Sequence, residues 1–111
     1  MAKYMVLYKS TKSAGELMAQ ATPEEMKASM AEWIMWKDKL DKSINFEWGM
    51  PLQAKDEITN SGIQDSESTV SGYSILEGDK NAITEVLKSH PHLKREGASI
   101  DVLEMLTMPG M

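Results

Sequence analysis

KYMVLYK, Lys3 to Lys9, is the stretch on which the architecture turns. Met5 and Leu7 fall on one alternating set, and Tyr4, Val6 and Tyr8 on the other. A strand hidden on both faces reads this way. The last apolar run, Ile100, Val102, Leu103 and Met105, is also apolar on both sides. A sheet containing these two strands has two faces to cover.

Between them lie the elements that could cover one face. Thr22-Pro23-Glu24-Glu25 is a helix start: Thr22 caps, Pro23 suits the first helical position, and Glu25 completes a capping box. The helix is expected to run to about Lys42, with Met26, Met30, Trp33 and Leu40 on one stripe and Ile34 and Trp36 flanking it. Lys37 interrupts that stripe, about 20° from Met26 at 100° per residue. Either its stem packs while the ammonium reaches water, or it points into a polar pocket and holds an anion. Asp79 caps a second helix, Lys80 to about Ser89, with Ala82, Ile83, Val86 and Leu87 as its apolar face.

Two further strands are expected. Ile44 to Leu52 carries Phe46 and Trp48, and Gly49 and Pro51 confine it to a bulged or edge position. Ser68 to Glu77 places Tyr73 and Ile75 on one face and Val70, Gly72, Ser74 and Leu76 on the other; Gly72 permits a close backbone approach. Ser10 to Ala21 reads as a loop with one helical turn near Glu16 to Ala19. Ala54 to Ser68 reads as a loop with an extended piece at Ile63 and a turn at Asn60-Ser61-Gly62. Thr107 to Met111 is a terminal tail.

The order is strand, helix, strand, strand, helix, strand, an α+β class with ferredoxin-like βαββαβ order: an antiparallel sheet with both helices on one face. Four strands of about five residues tile roughly 320 Å² of flat sheet. With side-chain relief, the bare face reaches the upper edge of what a soluble monomer shows. Stacking two sheets face to face covers it, so a homodimer is expected.

Length and composition frame the rest. The chain has 111 residues, 41% hydrophobic and 26% charged, as expected for one globular domain spanning residues 1–111. The formal charge is -5, with the basic residues dispersed, which argues against nucleic acid. No run approaches the roughly 20 apolar residues needed to cross a bilayer, and MAKYMVLYKS is too polar for a signal peptide, so no membrane partner and a cytoplasmic setting are expected. Without cysteine there is no disulfide, thiolate metal site or Cys nucleophile. The ten methionines read mainly as flexible core filling. Phosphate loops, GxGxxG, GxSxG and HExxH are all missing, and no cofactor is signalled.

KYMVLY, TPEEM, SGYSILEG, KSHPHL and GASIDVLEM together span nearly the whole chain in order. In these segments the chain resembles the YCII-related family, the group that includes the DGPF-domain proteins. SHPHL followed by G-x-S-I-x-V is the most specific part. The resemblance implies a dimeric α/β-barrel of ferredoxin-like protomers with a cleft in each, and a possible acid–base activity. Two departures stand out. The Asp-Gly-Pro-Phe segment is replaced by IQDSES, and no histidine lies near TPEEM. His90 occupies the place of the other branch's aspartate, so the His–Asp pair of that branch is not carried over; only His90 and Pro91 match a motif position.

KSHPHLKREG, Lys88 to Gly97, holds both histidines. One reading is purely structural: Pro91 stops the second helix, and Lys88, His90 and His92 sit at its negative end. Another makes His90 a general acid–base, since an imidazole titrates near pH 6.5; Asp65, Glu67 and Glu104 are the candidate partners. A metal site at His90 and His92 is the third, but Pro91 breaks the strand geometry that His-x-His needs, and no third ligand is apparent.

Two principal functions follow. The first is a small enzyme of isomerase, lyase or cofactor-free oxygenase type acting on a small organic acid. His90 would be catalytic, Lys37 would hold the anion, and Trp33, Trp48, Tyr73 and His92 would line the cleft. The second is a non-catalytic dimer that binds or senses a small organic ligand. An assembly dimer without a ligand is a third possibility.

Overall fold

The computed structural model describes residues 2–110; Met1 and Met111, the limits of the expected domain and tail, lie outside it. Strand β1 (Lys3–Lys9) lies inside a four-stranded sheet with β2 (Asn45–Pro51), β5 (Val70–Glu77) and β6 (Ser99–Glu104). The order is β2-β5-β1-β6, and every pairing is antiparallel. Helices α2 (Pro23–Asp38) and α3 (Lys80–Leu87) make the crossovers, so the α+β arrangement is compatible with a ferredoxin-like fold.

Local chemistry starts each helix where the sequence indicates. The Thr22 hydroxyl accepts from the Glu25 N–H at 3.1 Å, and the Glu25 carboxylate accepts from the Thr22 N–H at 3.1 Å. Asp79 accepts from the Ala82 N–H at 3.0 Å to open α3. Both helices pack on the face formed by Tyr4, Val6, Tyr8 and Leu76, against which Trp36, Ile83 and Leu87 are buried.

Several expectations change. Helix α1 (Ala14–Gln20) extends the single turn expected near Glu16 to Ala19 within a loop, and Ser13 caps it by accepting from the Glu16 N–H at 3.1 Å. Helix α2 stops at Asp38 rather than near Lys42. Beyond it Asp41 folds its carboxylate onto the Ser43 N–H at 2.8 Å, a local bond that competes with helix and turns Ile44 into the core. That bond from the Ser43 N–H, together with one from the Ser43 side chain, holds the Asp41 carboxyl below its ordinary range. Only the C-terminal half of α2 rests on the sheet, so Met26 and Met30 are exposed rather than core, while Trp33, Trp36 and Leu40 pack; Ile34 lies in the packed half but is also exposed.

Strand β2 is both an edge strand and bulged, with its register broken between Trp48 and Pro51. The close approach expected at Gly72 occurs instead at Gly49, where any Cβ would run into the Tyr73 carbonyl and ring. The segment read as a loop from Ala54 to Ser68 contains a hairpin, β3 (Asp56–Thr59) and β4 (Gly62–Asp65), closed by Gly62 at φ +137°.

The other face of the sheet carries Met5, Leu7, Tyr73 and Ile75, half-buried, and the exposed Leu103; α2 and α3 both lie on the opposite side. The protomer is a plate of 48 × 44 × 20 Å. Its accessible surface is 8057 Å², against about 6,100 Å² for a compact monomer of this mass. Its radius of gyration is 15.7 Å, against about 13 Å for a compact chain of this length.

Trp36 is 9% exposed, and its Nε1–H donates to the Val86 carbonyl at 3.1 Å. Trp36→Ala should lower stability by about 3–5 kcal/mol in urea unfolding. Met30→Ala, at a position 54% exposed, should stay within about 0.5 kcal/mol. Equal losses at the two positions would contradict this packing.

Candidate functional site

The end of α3 is tightened by short-range bonds from the Lys88, Ser89 and His90 N–H groups to the Glu85, Val86 and Leu87 carbonyls, at 3.3, 3.3 and 3.1 Å. Pro91 then opens a 3₁₀ turn, Pro91–Lys94. His90 is extended at φ −65°, ψ 135°, and caps that turn: its Nδ1 accepts from the His92 N–H at 3.0 Å. An accepting Nδ1 places the proton on Nε2.

His90 is 2% exposed. Its ring lies 4.4 Å from Trp33 in a perpendicular arrangement, 4.4 Å from Trp36 and 4.9 Å from Tyr8, centroid to centroid. Nε2 is buried without a protein hydrogen-bond partner. Burial, reinforced by repulsion from His92, pushes its pKa down to about 3. His90 is therefore a neutral donor of fixed tautomer at physiological pH.

His92 is buried beside it, and its Nε2–H donates to the Lys9 carbonyl at 2.9 Å and the Ser99 carbonyl at 3.2 Å. Lys9 and Ser99 face each other across β1 and β6, so His92 fastens the turn to two strands. Burial lowers its pKa, and the two carbonyl bonds oppose that shift. Tyr8 joins the cluster from β1, with its hydroxyl 2.6 Å from Ser74 Oγ; burial pushes its pKa up to about 12.

The structure thus brings His90, His92 and Trp33 together and disperses the rest of the expected cleft. Tyr73 lies on the opposite face of the sheet. Lys37 lies 3.6 Å from the Asp38 carboxylate with its side chain 40% exposed. Trp48 meets Phe46 edge to face at 4.9 Å on the exposed rim of β2. The carboxylates of Asp65, Glu67 and Glu104 make no bond to either histidine. Tyr8 and Trp36, read from the sequence as ordinary core, complete the cluster. Among the described residues, no group of three His, Asp or Glu side chains is arranged to hold a metal ion.

A cavity of about 320 Å³ opens elsewhere, where the β1–α1 loop meets the two roots of the β3–β4 hairpin. Ser10, Thr11, Ser13, Ser66, Ser68 and Thr69 contribute hydroxyls, Gln53 an amide, and Glu16 and Glu67 carboxylates; no lysine or arginine lines it. Ser10 Oγ accepts from the Lys12 N–H, Ser13 Oγ from Glu16, Ser66 Oγ from Ser68, and Ser68 Oγ from Val70, at 3.1–3.3 Å. Each hydroxyl is oriented by an accepted bond and keeps its O–H to donate. Gln53 is seated against helix α1 because Gly15 has no side chain there; a Cβ would collide with the amide. No sequence signal pointed to this cavity, since its walls come mostly from segments that read as loops.

No family model matches the sequence, and no curated protein matches it. Among the described residues, no helix is long and apolar enough to cross a membrane.

The buried imidazole has a consequence for pH. The unfolded chain takes up a proton near pH 6.5 and the folded chain near 3, so stability is fully present above about pH 6.5 and falls as pH drops through that window. Between pH 7 and pH 5, His90 should account for a loss of about 2 kcal/mol. His90→Asn, which can still cap the turn, should remove most of that difference in urea melts at the two pH values. An unchanged difference would mean that His90 is not buried as a neutral ring.

Proposed function

We propose that this protein is a homodimer of ferredoxin-like protomers, their sheets stacked face to face as an α/β-barrel, that binds a small neutral polyhydroxylated molecule without transforming it. The resemblance to the YCII-related family supports the dimer. So do the apolar open face, the 20 Å thickness of the plate, and an accessible surface about 1,900 Å² above that of a compact monomer. A stable interface removes about 1,200–2,000 Å² in total from two partners, about half from each, so the excess on one chain is more than sufficient. A cytoplasmic setting belongs to the same reading.

The observation that carries the ligand assignment is the cavity wall of four oriented serine hydroxyls with uncommitted O–H donors beside two carboxylates. Such a wall offers donors and acceptors to a ligand that has both. Without a cation in the lining it gives an organic acid no counter-charge. Ser10 is 6% exposed, so one of these hydroxyls is already desolvated before a ligand arrives.

A second reading keeps the acid–base enzyme acting on a small organic acid. The buried, unpartnered Nε2 of His90 favours it, because such a group is a hydrogen bond waiting for an acceptor. It requires half-buried Trp33 to move aside, and it requires a proton to cycle on a ring whose pKa burial holds at about 3.

Thermal melting against monosaccharides, polyols and small carboxylic acids separates the two. The binding reading predicts a saturable rise in Tm with a polyhydroxylated compound at millimolar level, distinct from the general osmolyte effect at molar level. At a hundredfold excess over Kd it corresponds to about 2.7 kcal/mol. Gln53→Ala and Glu67→Gln should abolish the rise, whereas His90→Gln should keep it. Stabilisation by carboxylic acids that His90→Gln removes would overturn the binding reading in favour of the enzyme. Light scattering at micromolar concentration should return about twice 12.4 kDa; a mass near 12 kDa would remove the dimer.

A further inference from the structure

The β3–β4 hairpin stands clear of the main sheet, and every residue of both its strands is exposed. Its two faces differ. Ile58 and Ile63 are directly paired and share one face, 75% and 72% exposed, whereas Glu57 and Gln64 are paired on the other, joined by a hydrogen bond. At the root of the isoleucine face, Asp56 and Asp65 stand directly opposite each other. Like charges in that position weaken a strand pair.

A lone two-stranded ribbon is marginal in water. One that displays an aliphatic pair needs an apolar surface to cover it. The open face of the sheet offers one: on β1, Met5 and Leu7 lie between Lys3, which stands opposite Glu77, and Lys9, which pairs with Asp101 at 3.1 Å. The hairpin leaves the sheet from edge strand β2 and returns to β5, so both its roots are anchored in the sheet that would stack on a second copy. We propose that the hairpin is a dimer arm whose Ile58–Ile63 face closes on the open sheet face of a second copy of this chain. The arm rests on the homodimer proposed above and specifies a part of its interface. It also ties the interface to the cavity, because residues at both roots of the arm, Gln53 and Ser66 among them, line that cavity.

Sedimentation equilibrium on wild type and on Ile58→Asp/Ile63→Asp tests the arm, with circular dichroism to verify the fold. The substituted side chains are exposed in the protomer, so the fold should be retained. Two-fold symmetry places each substitution in the interface twice, and the dimer Kd should weaken at least 100-fold. Thr59→Asp, on the opposite face, should leave Kd within about threefold. A dimeric wild type whose double variant keeps the same Kd would overturn the arm and leave the dimer standing. A monomeric wild type would overturn both. Equal weakening by Thr59→Asp would show a general charge effect and also overturn the arm.

Discussion

A neutral imidazole enclosed by three aromatic rings fixes the layout of this protein. His90 must be uncharged to sit among Tyr8, Trp33 and Trp36, and burial keeps it so. Its Nδ1 is committed to the next turn, and through that turn His92 reaches the carbonyls of β1 and β6. Three elements that are distant in sequence are therefore held by two adjacent side chains. The structural reading of KSHPHLKREG is the one the geometry supports, although its reason differs from the expected one. The two histidines do not add charge at the helix dipole, because both rings are pushed toward their neutral forms; of the three expected groups only Lys88, at the C-cap of α3, is left in that role.

The same lock sets the far wall of the cavity. Downstream of the histidines, Gly97 at φ +78° comes so close to Thr11 that an added Cβ would lie 3.0 Å from its methyl group. Thr11 lines the cavity, next to Ser10 at the end of β1. Chain order thus runs from the aromatic cluster into the hydroxyl wall, with the cluster rigid and dry and the wall polar and open. The division separates what holds the fold from what can meet a ligand.

Much of the fold was legible in the sequence because its signals are local. Thr22-Pro23-Glu24-Glu25 contains its own capping bonds, Asp79 contains another, and the alternation in KYMVLYK requires no partner to be read. The edge position and bulge of β2 followed from Gly49 and Pro51. What was not legible depends on distance. Met26 and Met30 satisfy a helical stripe, yet periodicity does not tell how far a helix extends past the sheet beneath it. Tyr73 looked like a cleft wall as a residue type, but its parity along β5 puts it on the opposite face from His90. Tyr8 and Trp36 carried no chemical signal of their own; only the fold brings their rings onto the histidine. The hydroxyl cavity gathers serines from two segments far apart in sequence, 10–13 and 66–68, neither of which signals a site alone.

Nuclear magnetic resonance of the imidazole nitrogens addresses the enclosed ring most directly. His90 should hold a single tautomer, protonated at Nε2, from pH 8 to pH 5, with any titration midpoint well below that of a free histidine and toward the value of about 3 that burial imposes. A midpoint near 6.5, or a mixture of tautomers in fast exchange, would mean that the ring is open to water, and the lock described here would not exist.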